Sequence, residues 1–148
     1  MTTLRTVVAL CTFIVGSSVH GANLAVEDVL GAWHVSDVIC SECQDRRNEE
    51  KGATVRLQTD RIENPLSGDC TDTPAYGRLE TVSSKTFLKQ VKSSWPALGK
   101  QRKSLSKTVL YGFITCGGIN YMQIAFLSKD TAWYPYEGGL VFVLRRTR

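Results

Sequence analysis

The sequence predicts a mainly β fold: a single antiparallel β-barrel with a short N-terminal helix and one inserted helix. Residues 31–39 (GAWHVSDVI) alternate like a strand and follow a short, acidic, helix-like stretch at residues 24–30. Residues 140–146 (LVFVLRR) have the pattern of a last strand that ends in arginine. Between them, turn residues separate short strand-like runs about every eight to twelve positions, which is typical of barrels and sandwiches. We expect the first strand to pair with the last.

Residues 1–22 have the layout of a secretory signal peptide. Arg5 precedes an apolar core at residues 7–15 (VVALCTFIV), and small and polar residues follow it. The core has about half of the roughly 20 residues that a membrane helix needs, which argues against a stable membrane anchor. We therefore expect the mature chain, residues 23–148, to form one domain that is periplasmic or secreted.

The mature chain has an even set of four cysteines: Cys40, Cys43, Cys70 and Cys116. In an exported chain such a set favours disulfides over a metal site, and the Cys40–Cys43 motif has no second ligand pair to complete a zinc site. We expect neither a metal nor a cofactor. Of the three pairings that four cysteines permit, we predict Cys40 with Cys43 and Cys70 with Cys116.

Charge is distributed unevenly along the mature chain. Residues 23–80 hold twelve acidic and six basic residues, whereas residues 81–129 hold eight lysines and arginines and no acid. A dipolar surface of this kind orients protein partners. General nucleic-acid binding usually needs a broader basic excess with interleaved aromatic residues, so we expect no nucleic-acid partner.

The first half of the mature chain continues with a loop, strands and a turn-rich segment. Residues 40–52 are highly charged and lack an apolar period, which predicts a surface loop. Residues 53–58 alternate like a half-buried strand, and residues 76–82 predict another. Residues 64–69 (NPLSGD) are dense in turn formers, and Cys70 would attach them to the sheet.

Residues 84–107, here called the basic arm, interrupt the strand pattern. Four apolar residues line one helical face: Phe87, Leu88, Val91 and Trp95. Ser84 is the candidate N-cap and Pro96 ends the pattern, which predicts a helix of about three turns. Strands then return at residues 108–116, 121–127 and 140–146, with a short strand around Trp133.

Two motifs resemble the lipocalin and calycin pattern. Gly31-x-Trp33 follows the short N-terminal helix, and Arg145 lies at the end of the last strand. In that family the tryptophan closes the barrel floor and a terminal arginine packs across it, which places a cation over an aromatic face. The resemblance therefore implies a calycin-like barrel whose floor consists of Trp33 and Arg145.

Three further segments are similar to small exported bacterial proteins of calycin type: residues 68–70 (GDC), 115–118 (TCGG) and 136–142 (YEGGLVF). Proteins with this layout resemble lysozyme inhibitors and periplasmic immunity proteins, whose partners are cell-wall-degrading enzymes or toxins. The resemblance implies that the chain binds another exported protein and inhibits or neutralises it.

Few residues of the mature chain suit catalysis. His34 is its single histidine, and a general base needs a nucleophile or carboxylate beside it. The Cys40–Cys43 motif follows a strand into an acidic loop, unlike the reactive thiols found at helix N-termini. We predict no catalytic residue and no enzyme activity.

Two charged segments are candidates for the contact with a partner. The acidic loop at residues 42–50 suits a basic cleft, whereas Lys100, Arg102 and Lys103 of the basic arm suit an acidic partner. Trp95 is the candidate aromatic anchor beside these cations. Both segments remain candidates for the contact. The basic arm is favoured because it departs further from a plain barrel.

A carrier of a small apolar ligand is the alternative function. An eight-stranded barrel either fills with side chains or holds one small ligand. The predicted inward-facing aromatic residues are Tyr111, Phe113, Phe126, Trp133 and Phe142. Because the chain is short and these residues are large, we expect the interior to be mostly filled.

Overall fold

A computed structural model describes residues 24–41 and 49–147 and confirms the mainly β fold. The predicted signal peptide and Cys43 lie outside the described residues. The strands are β1 (Gly31–Ile39), β2 (Thr54–Leu57), β3 (Ile62–Glu63), β4 (Pro74–Ser83), β5 (Thr108–Cys116), β6 (Ile119–Ser128), β7 (Thr131–Pro135) and β8 (Val141–Arg146). The helix α1 covers Ser84–Val91, and 3₁₀ helices cover Val26–Asp28, Pro96–Ser104 and Glu137–Gly139.

The eight strands form one antiparallel sheet in the order β3-β2-β1-β8-β7-β6-β5-β4. The first strand pairs with the last, as predicted: Trp33 lies opposite Arg146, and Ile39 lies opposite Val141. The sheet curls into a barrel, which is only nearly closed because no ladder forms between the described residues of β3 and β4.

Side chains from both halves of the sheet fill the interior of the barrel. Trp33 and Phe126 are fully buried, with their ring centroids 5.4 Å apart. Aliphatic residues from strands on every side pack around them: Val35, Val55, Leu57, Ile62, Ile114, Met122, Ile124 and Leu144. The interior is therefore a packed core, as we expected from the size of the side chains.

Tyr111 and Trp133 face the outside of the barrel, which corrects the prediction that they line its interior. Both belong to a second hydrophobic cluster beneath the basic arm. The ring centroid of Phe87 lies 4.9 Å from that of Tyr111 and 6.1 Å from that of Trp133. Because successive strand residues point to opposite faces, Tyr134 then points inward. Phe126 and Phe142 face inward as predicted, whereas Phe113 belongs to neither cluster.

The basic arm begins with a helix that is shorter than predicted. The N-cap is Ser83 rather than Ser84, and its Oγ accepts a hydrogen bond of 3.1 Å from the N–H of Thr86. The helix ends at Val91, and the chain turns before a 3₁₀ helix starts at Pro96. Since Pro disfavours helical backbone in the residue before it, the α-helix has to end before Trp95.

Residues 64–70, here called the mouth loop, are held together by internal hydrogen bonds and cover the mouth of the barrel. Asn64 is fully buried: its N–H donates to Asp69 Oδ1 (2.7 Å), and its side-chain amide donates to Ser67 Oγ (2.8 Å). The hydroxyl of Tyr134 donates to Ser67 Oγ at 3.0 Å. These bonds hold the mouth loop onto the aromatic residues beneath it.

The disulfide between Cys70 and Cys116 connects the mouth loop to the end of β5, which confirms the predicted long crosslink. The Cα atoms of the two residues are 5.9 Å apart. Cys40 is also disulfide-bonded. Its predicted partner, Cys43, lies outside the described residues.

Candidate functional site

The arginine that packs on Trp33 is Arg146, which corrects the prediction of Arg145. The Cζ atom of Arg146 lies 4.9 Å from the centroid of the indole ring. Trp33 and Arg146 are directly opposite in the β1–β8 ladder and share one face of the sheet, whereas Arg145 lies opposite His34. Arg145 is exposed, and its guanidinium donates to Thr131 Oγ1 at 2.5 Å.

Polar contacts hold Arg146 in place at the floor. Its Nε donates to the carbonyl oxygen of Lys129 at 2.8 Å, and its Nη2 donates to the carbonyl oxygen of Asp28. Lys129 Nζ lies 2.6 Å from Asp28 Oδ1. The hydrogen bond from Lys129 lowers the pKa of the Asp28 carboxyl below its ordinary value of 3.8, and a hydrogen bond from the Ala25 N–H acts in the same direction. The floor is thus a structural joint between the first 3₁₀ helix and the last strand.

The structure places all three predicted contact cations, Lys100, Arg102 and Lys103, on the 3₁₀ helix of the basic arm, Pro96–Ser104. Each of them is exposed, and none forms a salt bridge with another described residue. Within the part of the chain that the structure describes, no acidic side chain neutralises these three charges.

The helix α1 adds a second set of cations on its outer face. Lys85 and Lys89 of α1 and Lys92, its C-cap, are exposed and are spaced at i, i+4 and i+7, which places them on one side of the helix. The opposite side carries Phe87 and Val91, which are fully buried against the barrel. The whole arm therefore presents a cationic outer surface.

Trp95 is half-buried and attaches the arm to the barrel. Its indole N–H donates to the carbonyl oxygen of Tyr136 at 2.8 Å, and its ring packs against the cluster beneath the arm. Leu98, in the next turn of the arm, is fully buried in the same cluster. These contacts fix the position of the neighbouring cations. That Trp95 also contacts a partner stays a prediction.

A groove separates the 3₁₀ helix of the arm from the outer face of the barrel. Its two adjoining parts have volumes of about 520 and 410 Å³ and share Asp37, Ile39 and Gln101. Lys100 lines one part and Arg145 lines the other. The groove thus lies beside the exposed cations and carries charges of both signs, which suits a polar peptide or loop.

The described residues contain little that suits catalysis or metal binding. The cross-strand neighbours of His34 are Thr54 and Arg145, and neither is a carboxylate. Within residues 24–41 and 49–147, no three His, Cys, Asp or Glu residues come together in a way that could hold a metal ion. None of the helices in these ranges is long and apolar enough to cross a membrane.

Comparison with protein-family models, with curated proteins and with solved structures finds no match to this chain. The resemblance to calycins therefore stays a prediction.

The sequence did not indicate the groove, and it indicated Arg145 rather than Arg146 as the arginine that packs on Trp33. The groove arises from packing between residues that are far apart in the chain, so no local pattern indicates it. The floor arginine, in contrast, had a signal: Phe142 and Leu144 are apolar positions two residues apart, and the same alternation places Arg146 on the inner face.

Proposed function

We propose that the protein is an exported binding module that inhibits or neutralises another exported protein, with cell-wall-degrading enzymes and toxins as the target class. The observation that carries this proposal is the set of Lys100, Arg102 and Lys103, exposed and without salt bridges to described residues, on a 3₁₀ helix that is fixed to the barrel. The protein acts by contact and carries out no reaction itself.

The anchoring of the arm supports a binding role. Ordering a flexible, cation-rich segment at the moment of binding costs about 0.5–1.5 kcal/mol for each immobilised long side chain, in addition to the backbone. In this chain the backbone of the arm is already held by buried Phe87, Val91 and Leu98 and by the Trp95 hydrogen bond. A preorganised arm therefore loses less entropy on binding than a mobile one.

The charge of the arm indicates the chemistry of the partner. Residues 84–107 carry seven lysines and arginines and no acid, so the complementary surface is acidic. Glycoside hydrolases, including those that cleave cell walls, place a pair of Asp or Glu residues at the scissile bond. A cationic projection such as Lys100 with Arg102 complements such a cleft and would block the access of substrate.

The packed interior supports a binding module over a carrier. Large side chains occupy the centre of the barrel, and the mouth loop covers its opening through hydrogen bonds and the Cys70–Cys116 disulfide. A carried ligand would have to displace both. The three disulfide-bonded cysteines that the structure describes, Cys40, Cys70 and Cys116, suit an oxidising, exported environment.

The experiment that tests the proposal measures binding kinetics. The exported form of the chain is immobilised and presented with a panel of purified peptidoglycan hydrolases, some with acidic and some with basic substrate clefts. We expect at least one acidic member to bind. The K100E/R102E/K103E variant should dissociate from it at least tenfold faster, since the lost contacts are direct ones.

A matched control separates direct contact from overall charge. K85E/K89E/K92E changes the net charge by the same amount on the outer face of α1, so it should mainly slow association and change the dissociation rate much less. Equal dissociation rates for wild type and K100E/R102E/K103E would place the interface elsewhere. Binding only to basic members would favour the acidic loop at residues 42–50.

A further inference from the structure

The strand β4 is the longer of the two edge strands of the sheet, the other being β3. It contains ten residues, Pro74–Ser83, and pairs with β5 along one edge. In the part of the chain that the structure describes, no strand pairs with its other edge. Near the start of the strand, the hydroxyl of Tyr76 crosses the gap and donates a hydrogen bond of 2.7 Å to the carbonyl oxygen of Gln58. Among the described residues, the second half of β4 therefore has an edge that no strand covers.

The backbone of this half offers hydrogen-bonding groups to the open edge. The carbonyl oxygen of Arg78 lies 2.0 Å from where a Cβ on Gly112 would be, so it points towards β5. In a strand, successive residues direct their N–H and C=O groups to opposite edges. Leu79 and Thr81 consequently direct theirs away from β5, towards the open edge.

We propose that β4 pairs with β4 of a second copy of this chain, antiparallel and centred on Leu79. In this register Leu79 faces its own counterpart as a hydrogen-bonded pair. Arg78 of each copy then faces Glu80 of the other as a non-hydrogen-bonded pair, in which the Cα atoms are about 4.5 Å apart and the side chains are closest. One two-fold axis thus generates two identical ion pairs.

The charges on β4 fit this pairing and do not protect the edge against it. Arg78 and Glu80 are both exposed, and two residues apart they share one face of the strand. Charges of a single sign on an edge strand prevent self-pairing by repulsion. Opposite charges at this spacing attract each other across a two-fold axis. Glu80 forms no salt bridge with another described residue.

The strand also has room for a facing side chain at Gly77. A Cβ added there would meet no heavy atom within 4 Å, and Gly77 lies opposite Thr81 of the second copy in the proposed register. The two α1 helices, each of which starts at Ser84, would then begin roughly 33 Å apart along the paired strands, because ten residues separate the two starts in this register. A dimer would therefore present two basic arms, although the pairing itself does not depend on what the arms bind.

Sedimentation equilibrium of the purified chain tests the pairing. We expect a monomer–dimer equilibrium for the wild type. The single variants R78E and E80R should weaken association at least tenfold, because each brings like charges together across the interface. The double variant R78E/E80R restores opposite charges and should recover most of the association. The control K89E, which lies on α1, should associate like the wild type.

The double variant also controls for the loss of a hydrogen bond within the monomer. The Nη1 of Arg78 donates to Asn120 Oδ1 at 2.7 Å, and R78E removes this bond in both the single and the double variant. If the double variant associates more tightly than R78E, a restored Arg78–Asn120 bond within the monomer therefore cannot be the reason. A wild type that stays monomeric up to about 0.5 mM, or a double variant that associates no better than either single variant, would overturn the proposal.

Disulfide cross-linking tests the register. When R78C and E80C chains are mixed under mild oxidation, we expect covalent dimers that contain one chain of each kind. Chains of a single kind should form far fewer, since residue 78 does not face residue 78 in this register. Cross-linking that is equal in mixed and unmixed samples would contradict the register centred on Leu79.

Discussion

The guanidinium of Arg146 lies over the indole ring of Trp33, with its Cζ atom 4.9 Å from the ring centroid. This contact joins the last strand to the first at the floor of the barrel, where the indole N–H donates to the carbonyl oxygen of Val29 at 2.9 Å. The floor therefore ties the two ends of the described chain to one aromatic side chain.

Replacing Trp33 with Ala should lower the free energy of unfolding by about 3–5 kcal/mol, because the ring is fully buried and its removal leaves a cavity. Urea denaturation monitored by circular dichroism measures the change. Trp33→Phe, which keeps part of the buried ring, should cost less. A loss below about 1 kcal/mol for the alanine variant would mean that the ring does not support the barrel.

Arg146 and Arg145 form a matched pair for a second stability test. Arg146→Leu removes the contact with Trp33 and two hydrogen bonds to backbone carbonyls, so we expect a loss of about 2 kcal/mol. Arg145→Leu, one residue earlier and exposed, should change stability by no more than about 0.5 kcal/mol. Equal losses for the two variants would argue against a specific role for Arg146.

The stability of the floor should depend on pH through Asp28. Its pKa is lowered in the folded chain, first by the hydrogen bond from Lys129, so the unfolded chain takes up a proton at a higher pH than the folded chain does. The stabilising contribution is complete above the ordinary value of 3.8 and is lost as the pH falls through the folded pKa.

Urea denaturation of the wild type and Asp28→Asn between about pH 5 and pH 2 checks this dependence. Wild type should lose more stability over that range than the variant, because asparagine does not titrate. Lys129→Met should reduce the difference by removing the donor. Identical pH profiles for wild type and Asp28→Asn would show that the carboxyl is not held by Lys129 in solution.

Removing the Cys70–Cys116 disulfide in the C70A/C116A variant should destabilise the chain by about 4 kcal/mol in the loop-entropy picture. The crosslink joins residues that are 46 positions apart, and Cys70 is buried in the core. Thermal and urea unfolding of both proteins measure the loss. Retention of wild-type stability would indicate that the hydrogen bonds of the mouth loop alone hold it to the sheet.

The strand pattern was predictable because it depends on local alternation and turn residues. Residues 31–39 and 140–146 alternate so clearly that the pairing of the first and last strands could be expected before any coordinates. The disulfide between Cys70 and Cys116 belongs to one of the three pairings that an even set of four cysteines permits, and it was the long crosslink that we predicted. These features need little information about tertiary packing.

The inward or outward direction of the aromatic residues was harder to predict. Tyr111 and Trp133 face outward and are nevertheless covered, because Phe87 of the basic arm packs on both rings. Their apolar character therefore did not distinguish the inner face from the outer one. A strand whose two faces are both buried loses the polar–apolar alternation that distinguishes inside from outside. The groove beside the arm and the open edge of β4 arise in the same way, from contacts between distant segments.

Inhibition of a peptidoglycan hydrolase by this chain is the direct test of the proposed function. The exported chain is titrated into a turbidity assay in which an acidic-cleft hydrolase clears a suspension of cell walls. We predict that clearing stops near equimolar amounts and that K100E/R102E/K103E inhibits at least tenfold less well than K85E/K89E/K92E. Full clearing by every member of the panel in the presence of the wild type, or clearing by the chain alone, would contradict the claim.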